Sequence, residues 1–347
     1  MTSVRSLRST ATAIAVAVAW GAAGCAAPGP TSVAVAGARA EIVISLGEWR
    51  DPARNGRVVP YKLYMPAGAG PFPVVIHSHG LGGSREASTY ILEAVATAGI
   101  AVFAIQHPGS DTSVLPAGNL DGVTAADLRM SPEAAANRFA DLPFVVRQLD
   151  LMNAEGVLRG RLDMSRLGMS GHSFGALSTL VAVGQSVGGV AMPALREPRI
   201  DAAIVYSPNK PRNMEAGPAL AGVVTPILHF TGTEDSSSVD LERTPWERTI
   251  PFRTITGADQ YLVYLTGGDH QVFSGRRQVA GRLKSSDPEH MRLIIGNTVL
   301  FWRAYLLDDQ AAMAALCELP ARVQTAASGY VKARRCGPPT PLPQDDG

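Results

Sequence analysis

Short apolar runs punctuated by glycine and proline alternate along most of the chain with stretches of helical periodicity. Pro73-Val-Val-Ile-His-Ser-His79 is β-branched and bounded by turn residues, the pattern of a strand buried on both faces. From Ser84 to Ala98 apolar positions recur at helical spacing and stop at Gly99, after which Ile100–Gln106 is a second buried strand. Ser131-Pro132-Glu133 sets an N-cap residue before proline at the first helical position and predicts a helix to about Met152. Ile42–Ser45 and Val58–Met65 read as strands ahead of these, and Arg166–Ser170, Asp201–Tyr206, Pro226–Phe230 and Gln260–Leu265 as strands after them. Helical patterns occupy Ala176–Val183, Pro288–Leu307 and Ala311–Leu316. Such alternation means βαβ units, hence an α/β protein with a mostly parallel central sheet flanked by helices. His107–Met130 has no periodicity, and a stretch that long inside a compact domain commonly serves a site.

Composition narrows the classes further. With 347 residues, 46% of them hydrophobic, the chain can build one large domain. Lys plus Arg total 31 against 30 for Asp plus Glu, a net charge of +1. That leaves no basic excess to neutralise phosphates, which argues against nucleic acid as a partner. No repeat of 20–50 residues marks a solenoid. The uncharged stretch between His172 and Arg196 is long enough to cross a bilayer on length alone. Its second half holds Gly184, Gln185, Ser186, Gly188, Gly189 and Pro193, which favours a buried helix followed by a loop.

The ends of the chain read differently from the middle. Arg5 and Arg8 precede an apolar run from Ala11 to Trp20, about half of the ~20 residues a membrane span needs. Gly21-Ala22-Ala23-Gly24-Cys25 then resembles a bacterial lipoprotein signal, in which Cys25 becomes the lipid-modified first residue. Ala22 departs from that box, where leucine is usual. An ordinary secretory signal cut after Ala38-Arg39-Ala40 is the alternative. Either reading implies the bacterial cell envelope, with the protein lipid-anchored to the membrane through Cys25 or secreted. Residues 1–25 are then the signal, 26–40 a flexible tether, 41–336 the folded domain and 337–347 a disordered tail. Export leaves Cys317 and Cys336 as an expected disulfide. No C-x-x-C or His/Cys cluster suggests a metal.

Two G-x-S-x-G matches occur, Gly171-His172-Ser173-Phe174-Gly175 and Gly184-Gln185-Ser186-Val187-Gly188. A nucleophile elbow must lie between a strand and a helix, so that a sharp turn lifts the serine above the sheet edge. Ser173 has that context, whereas Ser186 lies in a glycine-rich helix exit. A serine hydroxyl needs a base, and the base an orienting acid. Of seven histidines, His270 stands just after the last strand, in Gly267-Gly268-Asp269-His270-Gln271-Val272-Phe273-Ser274-Gly275. For the acid, Glu234 and Asp235 both follow the strand Pro226–Phe230, at the carboxyl end where α/β sites assemble. Asp235 is preferred. His79-Gly80-Leu81-Gly82-Gly83 follows the first buried strand, so the amides of Leu81 and Phe174 are the candidate oxyanion donors. The order Ser173, Asp235, His270 is that of α/β-hydrolases.

Ser78-His-Gly-Leu-Gly-Gly-Ser-Arg-Glu86, the elbow at 171–175 and the loop 267–275 together resemble dienelactone-hydrolase-like proteins related to platelet-activating-factor acetylhydrolase, from about Val58 to Leu307. The wider group is similar to bacterial cutinase-like polyester hydrolases. The resemblance implies an α/β-hydrolase fold and a Ser-His-Asp carboxylic ester hydrolase that needs no metal or other cofactor. Its expected partner is an ester substrate: small molecule, lipid or polyester. True dienelactone hydrolases use a cysteine nucleophile, so Ser173 departs from them and dienelactone is not the expected substrate. A peptidase or acyltransferase could use the same triad, and a non-catalytic envelope lipoprotein could retain the fold.

Overall fold

The computed structural model describes residues 41–115, 131–236, 244–323 and 326–341. Cys25, the tether 26–40, most of the aperiodic stretch before Met130 and the last six residues of the expected tail lie outside them.

Among the described residues nine strands form one sheet: β1 Ile42–Asp51, β2 Arg57–Pro66, β3 Phe72–Ser78, β4 Ala101–Ile105, β5 Leu162–His172, β6 Ile200–Tyr206, β7 Ile227–Glu234, β8 Gln260–Asp269 and β9 Ala327–Lys332. Their spatial order is β1-β2-β4-β3-β5-β6-β7-β8-β9. The six strands from β4 to β8 run parallel, while β1, β2 and β9 pair antiparallel at the two edges. The helices are α1 Thr89–Thr97, α2 Pro132–Ala154, α3 Phe174–Ala182, α4 Ala216–Leu220, α5 Ile250–Thr254, α6 Arg276–Val279, α7 Asp287–Leu306, α8 Gln310–Cys317 and α9 Leu319–Arg322.

Period-two alternation splits the strands between two cores. Ala202, Ile204 and Tyr206 of β6 face a layer of α1, α7 and α8, while Ala203 and Val205 face α2 and α3. Burial on both faces explains the near-continuous apolar runs of the parallel strands. At α2 the expected start is realised: Ser131 Oγ accepts the Ala134 N–H at 3.0 Å, with Pro132 next in the chain. The stretch 172–196 is α3 followed by a loop, and no described helix is long and apolar enough to cross a membrane.

Two elements depart from the sequence reading. The helix expected from Ser84 starts only at Thr89. Ser88 is left-handed (φ 59°), its N–H donates to Ser274 O at 2.8 Å and its hydroxyl to Phe273 O at 2.9 Å. That tie to the loop after β8 overrides the local helical pattern. The second departure is β9, which extends the sheet along β8 in a segment that carried no strand expectation. Beyond it the Thr340 N–H donates to Val331 O at 2.9 Å.

Cys317 and Cys336 form a disulfide, with Cα atoms 5.0 Å apart, closing a loop over 19 positions that contains β9. Loop closure on that scale stabilises a fold by up to about 3 kcal/mol. Replacing both cysteines by serine should therefore lower Tm by roughly 5 °C and leave turnover nearly unchanged. A melting curve that reductant does not shift would contradict this.

Candidate active site

Five strands deliver a polar residue at the position just past their carboxyl ends: His79 after β3, Ser173 after β5, Ser207 after β6, Asp235 after β7 and His270 after β8. Parallel pairing of β3 and β5 through β8 brings these ends to one edge of the sheet, the edge where α/β proteins bind their ligands.

Ser173 is the hinge between β5 and α3, with φ 55° and ψ −111°. A non-glycine residue with positive φ is strained, and the strain is held by packing. A Cβ on Gly171 would stand 2.2 Å from Gly175 O, and one on Gly175 would stand 1.9 Å from Ser78 O. Only glycine permits the turn to close and to press against β3. The Ser173 N–H donates to Tyr206 O at 2.9 Å, which fixes the elbow to β6.

His270 Nδ1 lies 2.8 Å from Asp235 Oδ1 and 2.7 Å from Ser207 Oγ. Those partners assign the proton to Nδ1 and leave Nε2 with the lone pair a general base requires. Ser173 Oγ makes no hydrogen bond to His270 among the described residues; such contacts commonly tighten only when substrate is bound. Asp235 is fully buried and well supplied with donors. Besides His270 it receives the Ser207 hydroxyl at 2.8 Å, the Thr231 hydroxyl at 2.7 Å and Arg248 Nε at 3.0 Å. Glu234, by contrast, points outward and pairs with Lys284. Asp269 accepts the Gln271 and Val272 N–H groups and pairs with Arg277, which caps the histidine loop. Ser186 lies past the far end of α3, its N–H bonded to Ala219 O.

Phe174 is the first residue of α3, so its N–H has no intrahelical acceptor. The Leu81 N–H belongs to the Gly80–Leu81 peptide, whose oxygen accepts the Gly83 N–H at 3.0 Å and His79 Nδ1–H at 2.6 Å. In a trans peptide, fixing the oxygen fixes the N–H on the opposite side. A Cβ on Gly80 would come within 3.4 Å of Ser173 Cβ, so this turn lies against the elbow.

Sequence reasoning missed the support beneath these groups. Ser207 carried one signal, its place at a strand end. Arg138 and Asp141, within α2, and Arg248 carried none. Arg138 is fully buried: it donates to Ser78 Oγ at 2.8 Å, to Ser110 Oγ at 3.0 Å and to Ser178 Oγ at 2.9 Å, and also holds His79 O. Its guanidinium lies 4.4 Å from the Phe174 ring centroid. Asp141 pairs with Arg57 and with His107 Nδ1 at 2.9 Å, while His107 Nε2 meets the Ser78 hydroxyl. Burial and the nearby Arg138 charge push His107 down to about 4 and hold His79 well below the usual imidazole range. Burial raises the cost of the Asp141 charge, yet the Arg57 and His107 hydrogen bonds outweigh it and bring its carboxyl down to about 2. His172 is likewise kept neutral by burial, reinforced by the Arg248 and Arg276 charges, and its Nε2–H donates to His270 O at 3.1 Å.

Comparison with known proteins fits this geometry. Residues 40–117 match the family model described as platelet-activating factor acetylhydrolase, isoform II, a span that contains the 79–83 turn but none of Ser173, Asp235 and His270. A ferulic acid esterase from Streptomyces cinnamoneus superposes with a TM-score of 0.58 at 20% identity, over 80% of this chain and 93% of that one. The fold is that of an α/β-hydrolase. No curated protein sequence matches the chain. Family match and fold together support a carboxylic ester hydrolase similar to the platelet-activating-factor acetylhydrolases.

Two measurements probe this α/β-hydrolase site. Ser207→Ala removes one donor to Asp235 and one neighbour of His270 Nδ1 and should lower kcat about tenfold with little change in KM, on the scale of one charge-assisted hydrogen bond; wild-type kinetics would strip Ser207 of any part. The second concerns pH. Burial holds His77 and His229 down to about 3 and His107 to about 4, with His79 and His172 also lowered. The unfolded chain protonates these rings near pH 6.5, so below that pH it binds more protons than the native state and stability falls. Each ring contributes up to about 1.4 kcal/mol per pH unit. Tm should drop steeply from pH 6.5 to 4, and a flat Tm across that window would refute neutral burial.

Proposed function

We propose that the chain is an exported serine esterase that cleaves carboxylic esters through an acyl-enzyme. The observation that carries this reading is the Asp235–His270 contact of 2.8 Å on the same sheet edge as the strained Ser173 elbow. His270 Nε2 takes the Ser173 proton as Oγ attacks the ester carbonyl. The tetrahedral oxyanion is held by the Leu81 and Phe174 amides, aided by the positive end of α3. Asp235 keeps the imidazole in its Nδ1–H form and stabilises the cation. His270 then protonates the leaving alcohol, and water, with the same base, releases the acid.

Export rests on the basic and apolar leader and on Cys25, with lipid attachment there as the anchor. The disulfide agrees with an oxidising compartment. The substrate class is an ester of a small molecule, as the ferulic acid esterase is named for, of a lipid, as the acetylhydrolase family is, or of a polyester.

Labelling with a fluorophosphonate should be abolished by Ser173→Ala and unaffected by Ser186→Ala, with hydrolysis of p-nitrophenyl esters falling about 10⁴-fold or more in the first variant. The reverse pattern would move the nucleophile to Ser186. Leu81→Ala keeps its amide and should retain most activity, whereas Leu81→Pro removes the N–H and should cost about 10²–10³ in kcat. Equal losses in two folded variants would remove Leu81 from the oxyanion hole.

A further inference from the structure

Most cations around the site have a carboxylate partner. Arg57 pairs with Asp141, Arg248 with Asp235, and Arg277 with Asp269 and Asp287. Arg276 differs. Its Nη2 donates to Gly82 O, and no carboxylate lies within ion-pair distance among the described residues. Nε and Nη1 have no protein acceptor there either. The side chain is partly withdrawn from water, and burial alone pulls its pKa down, with no anion raising it.

Its position is specific. Arg276 opens α6, six residues beyond His270, and Gly82 follows Leu81. The guanidinium therefore spans the loop that carries the general base and the turn that carries an oxyanion donor. His172, packed against His270, already feels its charge. A partly desolvated guanidinium with no carboxylate partner among the described residues is unfavourable, and an anion that docks on it relieves that cost. Its planar array of N–H donors suits carboxylate and phosphate oxygens.

We propose that Arg276 forms an anion-binding subsite, so that the preferred ester carries a carboxylate or phosphate group besides its scissile bond. The inference rests on the ester-hydrolase reading and names a substrate class within it. The ester's carbonyl occupies the hole formed by Leu81 and Phe174, and its anionic end reaches the Arg276 donors.

The test uses the full chain and three esters with the same alcohol and a six-carbon acyl chain: p-nitrophenyl hexanoate, mono-p-nitrophenyl adipate and p-nitrophenyl ω-phosphohexanoate. Wild type should show a KM about tenfold or more lower for at least one anionic ester than for hexanoate, an advantage lost in high salt. Which anionic ester gains distinguishes a carboxylate from a phosphate. Arg276→Gln should raise KM for that anionic ester about tenfold more than it changes KM for hexanoate, and Arg276→Lys should recover part of the difference. If Arg276→Gln slows all three esters by one factor, Arg276 is only a strut for Gly82 and the subsite is refuted. Hexanoate turnover by wild type with no anionic preference overturns the subsite alone and needs no variant to fold. Absence of both fluorophosphonate labelling and hexanoate turnover instead overturns the ester-hydrolase reading, and the subsite with it.

Discussion

Gly175 lies so close to the end of β3 that even a methyl group would overlap Ser78 O, at 1.9 Å. That backbone-to-backbone approach fixes most of what surrounds it. It seats the start of α3 on β3, so the turn bearing Leu81 and the helix bearing Phe174 meet at one place. It also forces β5 to reverse within a single residue, and Ser173 takes up the strain at φ 55°. A larger residue at either elbow glycine would move Ser173 away from the Leu81 and Phe174 amides, the proposed oxyanion donors, with every side chain around them unchanged.

Charge is arranged around this contact in two buried groups. On one side Arg138 holds Ser78 Oγ and His79 O and lies over the Phe174 ring, with Asp141 and His107 behind it. On the other, Arg248 reaches both the carboxylate of Asp235 and Ser207 O, so one guanidinium holds the acid and the serine beside it. Buried ion networks are poor sources of net stability, because desolvation offsets their attraction. Their contribution here is orientation: the Gly80–Leu81 peptide and the His270 ring each have a hydrogen-bond partner that determines their direction. A neutral His79 is part of the same logic, since only its Nδ1–H form can donate to Gly80 O while Nε2 accepts the His107 N–H at 3.1 Å. The two groups meet at His172, whose ring lies between Gly80 and His270.

The loop after β8 has a structural part besides the chemical one proposed for it. Phe273 O and Ser274 O accept from Ser88, and Val272 O accepts the Tyr90 hydroxyl, so the loop bearing His270 is tied to the start of α1. Arg276 adds a second tie, to Gly82. The turn after β3 and the loop after β8 are thus connected at both ends, though they lie far apart in sequence.

Local pattern determined the α/β class, the parallel strands, the helix start at Ser131 and the strand–turn–helix setting that separates Ser173 from Ser186. These features repeat along the chain or lie within a few residues of each other, and hydrophobic period and capping chemistry report them directly. Asp235 and His270 were legible only as polar residues past strand ends; that they meet, and that Glu234 turns away to Lys284, depends on the register of β7 and β8. The late start of α1 at Thr89 was decided by Ser88 bonding to a loop almost two hundred residues away, which local propensity cannot express. The same holds for Ser207, Arg138, Asp141, Arg248 and Arg276. A buried polar side chain acquires its partners only when separate strands and helices converge, so its role is a property of the assembled sheet edge and leaves no periodic trace in the sequence.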